Sequence, residues 1–136
     1  MAESPREVYL RFLELVGQDR WPELADLYAE DAVVDQMYAR PERARIEGRE
    51  ALRARFAEAT DLPIRLRPAN VVVHETADPE VIVAEFDYEV HLAATGERRL
   101  RSPNVIVLRI RDGLIVSSRD YHDTTAIGAV MAAAAG

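Results

Sequence analysis

The 136-residue chain has no cysteine and no lysine, and all 17 of its basic residues are arginine. Without cysteine there is no disulfide, no thiolate metal site and no thiol nucleophile, and the chain is compatible with a reducing cytoplasm. Without lysine there is neither a Schiff-base amine nor the lysine of a phosphate-binding loop. No apolar run approaches bilayer length, and Met1-Ala2-Glu3-Ser4-Pro5-Arg6 lacks the basic-then-apolar order of a signal peptide, so a cytoplasmic protein with no membrane partner is expected. The net charge of −7 opposes a phosphate backbone, and no arginine-rich stretch is free of interleaved acids, which argues against a nucleic-acid partner. The three histidines lack metal-ligand spacing, and there is no Gly-rich phosphate loop or G-x-S-x-G elbow. Neither a metal nor another cofactor is expected.

What is present suffices for one domain. A chain of this length buries roughly two thirds of its unfolded surface in a single core. Residues 1–136 are therefore read as one domain, with the low-complexity stretch 129–136 expected to extend a helix or to fray. The exclusive use of arginine and the many alanines fit a GC-rich bacterial gene. Ser4-Pro5-Arg6-Glu7 has the N-cap, first-turn proline and Glu of a capping box, and Val8, Phe12, Leu15 and Val16 follow at helical spacing. Asp19 is placed to cap a second short helix with Leu24, Leu27 and Tyr28 towards the core, and Asp31 to Met37 reads as a strand. A loop holding Pro41 leads to Gly48, which opens a third helix with Leu52 and Phe56 on one face. Thr60-Asp61-Leu62-Pro63 ends it, because the residue before a proline disfavours the α region. From Ile64 the period shortens to two. Arg65 to Glu75, Glu80 to Leu92, Arg99 to Ile110 and Leu114 to His122 are predicted strands, turning at Ala77-Asp78-Pro79, Thr95-Gly96-Glu97 and Arg111-Asp112-Gly113. Such short connections make the last three an antiparallel meander, so three N-terminal helices must cover one face of a curved sheet in an α+β fold.

Three strings occur in the right order over nearly the whole chain: Leu27-Tyr28-Ala29-Glu30-Asp31-Ala32, Glu47-Gly48-Arg49-Glu50-Ala51-Leu52, and Asp112-Gly113-Leu114-Ile115 leading to Arg119-Asp120-Tyr121-His122-Asp123. Together they resemble the nuclear-transport-factor-2-like (NTF2-like) superfamily, in particular its SnoaL-like, ketosteroid-isomerase-like and limonene-epoxide-hydrolase-like branches. The resemblance implies a cone-shaped, cystatin-like α+β barrel around a cavity. It does not fix a reaction, because this fold hosts isomerases, cyclases, hydrolases, dehydratases and non-catalytic binding proteins.

The strand period separates Val116, Ser118, Asp120 and His122 from Ile115, Ser117, Arg119, Tyr121 and Asp123. Similarity to the isomerases and epoxide hydrolases makes the set with Asp120 the cavity set, beside Val34 and Gln36, with Ser102, Asn104, Ile106, Leu108 and Ile110 inward on the preceding strand. The isomerase positions for base, tyrosine and second acid fall on Gln36, Phe12 and Ile106, so that mechanism is not expected. Against the epoxide hydrolases, the water-activating Asp corresponds to Asp120 and the other Asp to Asp87. The Arg between them becomes Glu85, the Tyr becomes Val34 and the Asn becomes Gln36. Two carboxylates without the intervening cation would share a proton and could still serve as acid and base.

Plainer readings stand beside these. Asp120 could pair with an arginine on the neighbouring strand. His122 is either a satisfied sheet-edge histidine or a proton partner of Asp120. Glu85, Asp87, Glu89 and His91 alternate as a solvated row behind Ile82, Ala84, Phe86, Tyr88, Val90 and Leu92, and only the resemblance turns Asp87 inward. Asp123 competes with Asp120, since a one-residue slip reverses the assignment. His74 reads as structural, and Trp21 and Tyr28 as packing residues or pocket walls.

The expectation is a cofactor-independent acid–base enzyme of isomerase, cyclase or epoxide-hydrolase type, acting on an apolar metabolite such as a polyketide or terpenoid intermediate of secondary metabolism. Asp120, Asp87 and His122 are its catalytic candidates. The rival is a non-catalytic binding or protein-interaction module in the same cone. Phe12, Val16, Leu27, Val34, Phe56, Ile106 and Leu108 should converge on a void of about 300 Å³ or more, with Gln36, Asn104, Ser118 and Asp120 as its polar groups. Apolar residues on both faces of Val105 to Ile110, and the family's habit, imply a homodimer through the outer sheet face, with Val105 and Val107 interfacial.

Overall fold

The computed structural model describes residues 3–135. Helix α1 (Pro5–Gly17) begins on the expected capping box: Glu7 N–H donates to Ser4 Oγ at 3.2 Å and Ser4 N–H donates to Glu7 Oε1 at 3.1 Å. The next segment, Trp21–Leu27, is a 3-10 turn and not an α-helix. Asp19 does not cap it. Its backbone is left-handed (φ 59°), and its carboxylate accepts both terminal nitrogens of Arg67, each at 3.0 Å. Seven residues with a proline in the first turn form only the tighter coil, which still buries Leu24, Ala25 and Leu27. Tyr28 is already part of β1 (Tyr28–Gln36), so this strand starts ahead of the expected Asp31. The stretch expected to be all loop contains the short edge strand β2 (Ala44–Glu47). Gly48, at φ 93°, leads into α2 (Arg49–Ala59). Then follow β3 (Ile64–Glu75), β4 (Val81–Leu92), β5 (Arg98–Arg111), β6 (Leu114–Tyr121) and α3 (Thr124–Ala135). The tail is thus helical up to Ala135, and Gly136 lies outside the described residues.

The strands form one unclosed sheet in the order β2-β1-β6-β5-β4-β3. All neighbours are antiparallel except β1 and β6, which run parallel. Register breaks at Ala69/Val72, Val90/His91 and Arg109/Ile110 bend the sheet, because an extra residue on one strand kinks it and increases its twist. The resulting concave face is covered by α1, the Trp21–Leu27 turn and α2, with Ile127, Val130 and Met131 of α3 packed against the same core. One bulge alters the face assignment derived from strict alternation. Ile110 pairs with Ile115 and Arg109 with Ser117, leaving Val116 as the extra residue. Ile115, fully buried, therefore joins Ser118 on the inner side in place of half-buried Val116. On β5 the inward set Ser102, Asn104, Ile106, Leu108 and Ile110 is buried throughout. Full burial of side chains such as Leu24, Leu52, Ile82 and Leu108 stabilises the fold by about 1.5–3 kcal/mol each.

Candidate active site

Helices and sheet do not close completely on each other. Between them is a cavity of about 380 Å³, walled by Phe12 of α1, Phe56 of α2, Val34 of β1, Ile106 and Leu108 of β5, and Ile127 and Met131 of α3. Aromatic edges form one wall: Phe12 lies 6.2 Å from Tyr28 and 6.3 Å from Phe56, and Trp21 stacks on Phe56 at 6.4 Å. Val16 and Leu27, expected on this lining, are instead buried behind it in the solid core.

Asp120 enters the cavity from β6 with its side chain 18% exposed. Ser118 Oγ donates to its Oδ1, and His122 Nε2 lies 3.7 Å from its Oδ2. Among the described residues no arginine lies within ion-pair distance of it. Gln36 stands opposite Asp120 in the parallel β1–β6 register, and its Oε1 accepts from Arg55 Nη2 at 3.4 Å. Arg55 is the one cation on the lining among the described residues. Asn104 does not line the cavity; its Oδ1 accepts from His122 Nδ1 at 2.6 Å, so it backs the histidine.

Two other acids fall elsewhere. Asp123 Oδ1 accepts from Ala126 N–H at 3.0 Å in the first turn of α3, so this residue caps a helix. Asp87, expected as the partner carboxylate, lies on the outer face of β4, where its Oδ2 accepts from Asn70 Nδ2 at 2.8 Å. Alternation explains this: Phe86 and Tyr88 occupy the inward positions on either side, so the sheet separates Asp87 from Asp120. The two-carboxylate arrangement is not formed. His74 and Glu85 meet on the same outer side at 2.6 Å.

Sequence reasoning gave no chemical role to three tyrosines: Tyr28 was expected, with Trp21, only as a packing residue or pocket wall, which both are, and Tyr88 only as part of the apolar row of β4. Tyr9 of α1, Tyr28 of β1 and Tyr88 of β4 converge on the cavity at 3%, 4% and 7% exposure. None of their hydroxyls has a hydrogen-bond partner among the described residues. Burial pushes all three phenols well above their ordinary range, with the charge of Asp120 adding to the effect at each. They are therefore fixed as protonated donors. Their inward positions were readable, as was the rule that a buried tyrosine hydroxyl needs a partner. On a largely apolar lining that carries a carboxylate and such donors, the carboxylate can take a proton and the phenols can stabilise the oxyanion that forms.

A wider groove of about 620 Å³ lies on the outer side of β5 and β6, lined by Tyr38, Arg40, Pro103, Val105 and Tyr121. It shares His122 and Thr124 with the cavity, but its one acid, Asp123, is the helix cap. The reactive groups are gathered on the enclosed side.

This curved sheet over a helix-lined cavity is the NTF2-like fold. Residues 9–118 match the SnoaL-like domain family, and the chain belongs to that family. It is 33% identical over 130 residues to an uncharacterised PhzA/B-like protein of Pseudomonas aeruginosa, covering 92% of this chain and 89% of that one. Among solved structures it is similar to a Bacillus subtilis protein provisionally named an isomerase, with TM-score 0.79 and 27% identity over 90% of this chain and 88% of that one. A Pseudomonas putida protein provisionally named a polyketide cyclase has the same fold, with TM-score 0.75 and 20% identity over 91% of this chain and 95% of that one.

Proposed function

We propose that this protein is a cofactor-independent acid–base enzyme that shifts a proton on an apolar, oxygen-bearing metabolite, in an isomerisation or cyclisation of a polyketide-type intermediate. The observation that carries this is Asp120 standing on a largely apolar cavity that Tyr9, Tyr28 and Tyr88 also line, their rings buried and their hydroxyls making no hydrogen bond among the described residues. The carboxylate of Asp120 takes a proton from the carbon next to a carbonyl. The carbonyl oxygen, gaining charge, accepts a tyrosine O–H, and the proton returns to another atom of the same molecule. Ser118 holds one carboxylate oxygen and leaves Oδ2 for the substrate. The isomerase and polyketide-cyclase names of the structural neighbours support the reaction class. The epoxide-opening variant loses its second carboxylate, since Asp87 faces outward.

The test uses an enolisable apolar ketone, 2-tetralone, in D₂O. Wild-type protein should accelerate exchange of its α-protons over buffer, and Val34→Phe, which fills the cavity, should remove the acceleration. Exchange no faster than buffer would favour the rival reading of a non-catalytic binding module.

We also propose a homodimer through the outer sheet face. Val105, 37% exposed, lies between Glu85 and Tyr121 in register, and Val72, 50% exposed, lies one strand beyond Glu85. Apart from Glu85, which His74 pairs, this row is apolar, and a second copy would cover it. Half-buried Val107 lies two residues along the same face.

A further inference from the structure

His122 stands between two acceptors that are not alike. On its Nδ1 side is Asn104 Oδ1 at 2.6 Å. Which atom of that amide meets the ring is decided from behind: Asn104 Nδ2 donates to the backbone oxygens of Ser102 at 3.1 Å and Phe86 at 3.4 Å, a role an amide oxygen cannot fill. A carbonyl oxygen has no proton to give, so Nδ1 carries the proton in either charge state of the ring. In the neutral ring the lone pair is then on Nε2, the nitrogen 3.7 Å from Asp120 Oδ2. Tyr88 lies beside the imidazole, with ring centroids 6.2 Å apart.

We infer that Asn104 is a positioning residue that locks His122 as the Nδ1–H tautomer, making Nε2 the nitrogen that trades protons with the ligand and with Asp120. The inference rests on the acid–base reading of the cavity and supplies its second proton carrier. In one turnover Asp120 takes a proton from one ligand atom while protonated Nε2 gives one to another. The proton on Asp120 then passes to Nε2, and both side chains regain their starting states with no net gain or loss. At 3.7 Å the two groups are just beyond direct hydrogen-bond range, so this last step needs a small shift of the Asp120 side chain that brings Oδ2 to about 3 Å from Nε2. The opposite tautomer would present an N–H to the cavity when neutral and could not take the proton back.

The test is nitrogen-15 NMR of histidine-labelled, ligand-free protein at alkaline pH, with the His122 signals assigned by loss in His122→Gln. Wild type should show the Nδ1–H form in about fivefold excess, the ratio one hydrogen bond of ordinary strength sets. Asn104→Asp, whose carboxylate also accepts from Nδ1, should keep that form. Asn104→Leu should swing towards Nε2–H and slow 2-tetralone exchange about a hundredfold, as loss of one acid–base partner at the low end of its usual effect does, while the Asp variant restores the rate. A wild-type ring that is mainly Nε2–H overturns the inference, and so does an unchanged ratio in Asn104→Leu, whatever the exchange assay gives. If the Leu variant does not fold, wild type and Asn104→Asp still decide the tautomer. Absence of exchange in wild type would overturn the acid–base reading itself, a separate failure.

Discussion

Replacing the cavity tyrosines by phenylalanine should raise stability and lower activity together. Tyr9, Tyr28 and Tyr88 bury their rings at 3%, 4% and 7% exposure, and their hydroxyls have no partner among the described residues. A fully buried hydroxyl without a hydrogen bond costs about 1–3 kcal/mol; these three open onto the cavity, so the low end, about 1 kcal/mol per tyrosine, is the working figure. Phenylalanine keeps the ring and removes the cost. For a domain of this size about 1 kcal/mol raises Tm by about 3–5 °C, so the single variants should each gain that much. The triple variant should gain about 10 °C if the three sites act independently. The tyrosine that meets the developing oxyanion should be revealed by a fall of about a hundredfold or more in 2-tetralone exchange, the usual effect of removing one such donor. The assays are thermal unfolding by circular dichroism and proton NMR of the exchanging ketone. Lower Tm in all three single variants would mean that the hydroxyls are satisfied within the protein. Unchanged exchange in all three would mean that they do not face the reacting oxygen.

Glu80 offers a pH test away from the site. Arg111 and then Arg109 hold its carboxyl down from 4.5 to about 2. A depressed carboxylate stabilises the fold fully above 4.5 and loses that contribution as pH falls towards 2, so Glu80→Gln should flatten the acid limb of stability in that window, measured by urea unfolding at stepped pH. Asp123→Ala should cost about 1 kcal/mol through the lost cap of α3 and leave ketone exchange intact, whereas abolished exchange would make Asp123 the reacting acid. Val105→Glu should turn a sedimenting dimer into a folded monomer, and a wild-type monomer at micromolar concentration would refute the outer-face interface.

Local signals with few alternatives were legible in the sequence. The Ser4–Glu7 box gave α1, and the alternation of β4 and β5 gave their inner faces, because both depend on neighbours close in the chain. The bulge at Val116 was not legible, since a period of two assumes that no residue is inserted, and one insertion moved Ile115 inward. Asp87 shows the reverse case: the plain period placed it on the solvated row, and only the resemblance had drawn it inward. Asp123 followed by two threonines was a readable helix start, yet two acids three residues apart could not be ranked before one of them was seen to cap α3. The tyrosines were hidden for a different reason. An inward tyrosine reads as packing, and whether its hydroxyl has a partner depends on residues from other elements that only the fold brings near.

The most direct test of the central claim is Asp120→Asn, which keeps the shape of the side chain and removes the base. Because no arginine pairs with Asp120 among the described residues and the cavity around it is largely apolar, losing the charge should leave Tm unchanged or raise it, while 2-tetralone exchange falls to the rate in buffer. A variant destabilised by about 3 kcal/mol or more that still exchanges the ketone would contradict the account and make Asp120 a structural carboxylate whose stranded partner remains in the fold.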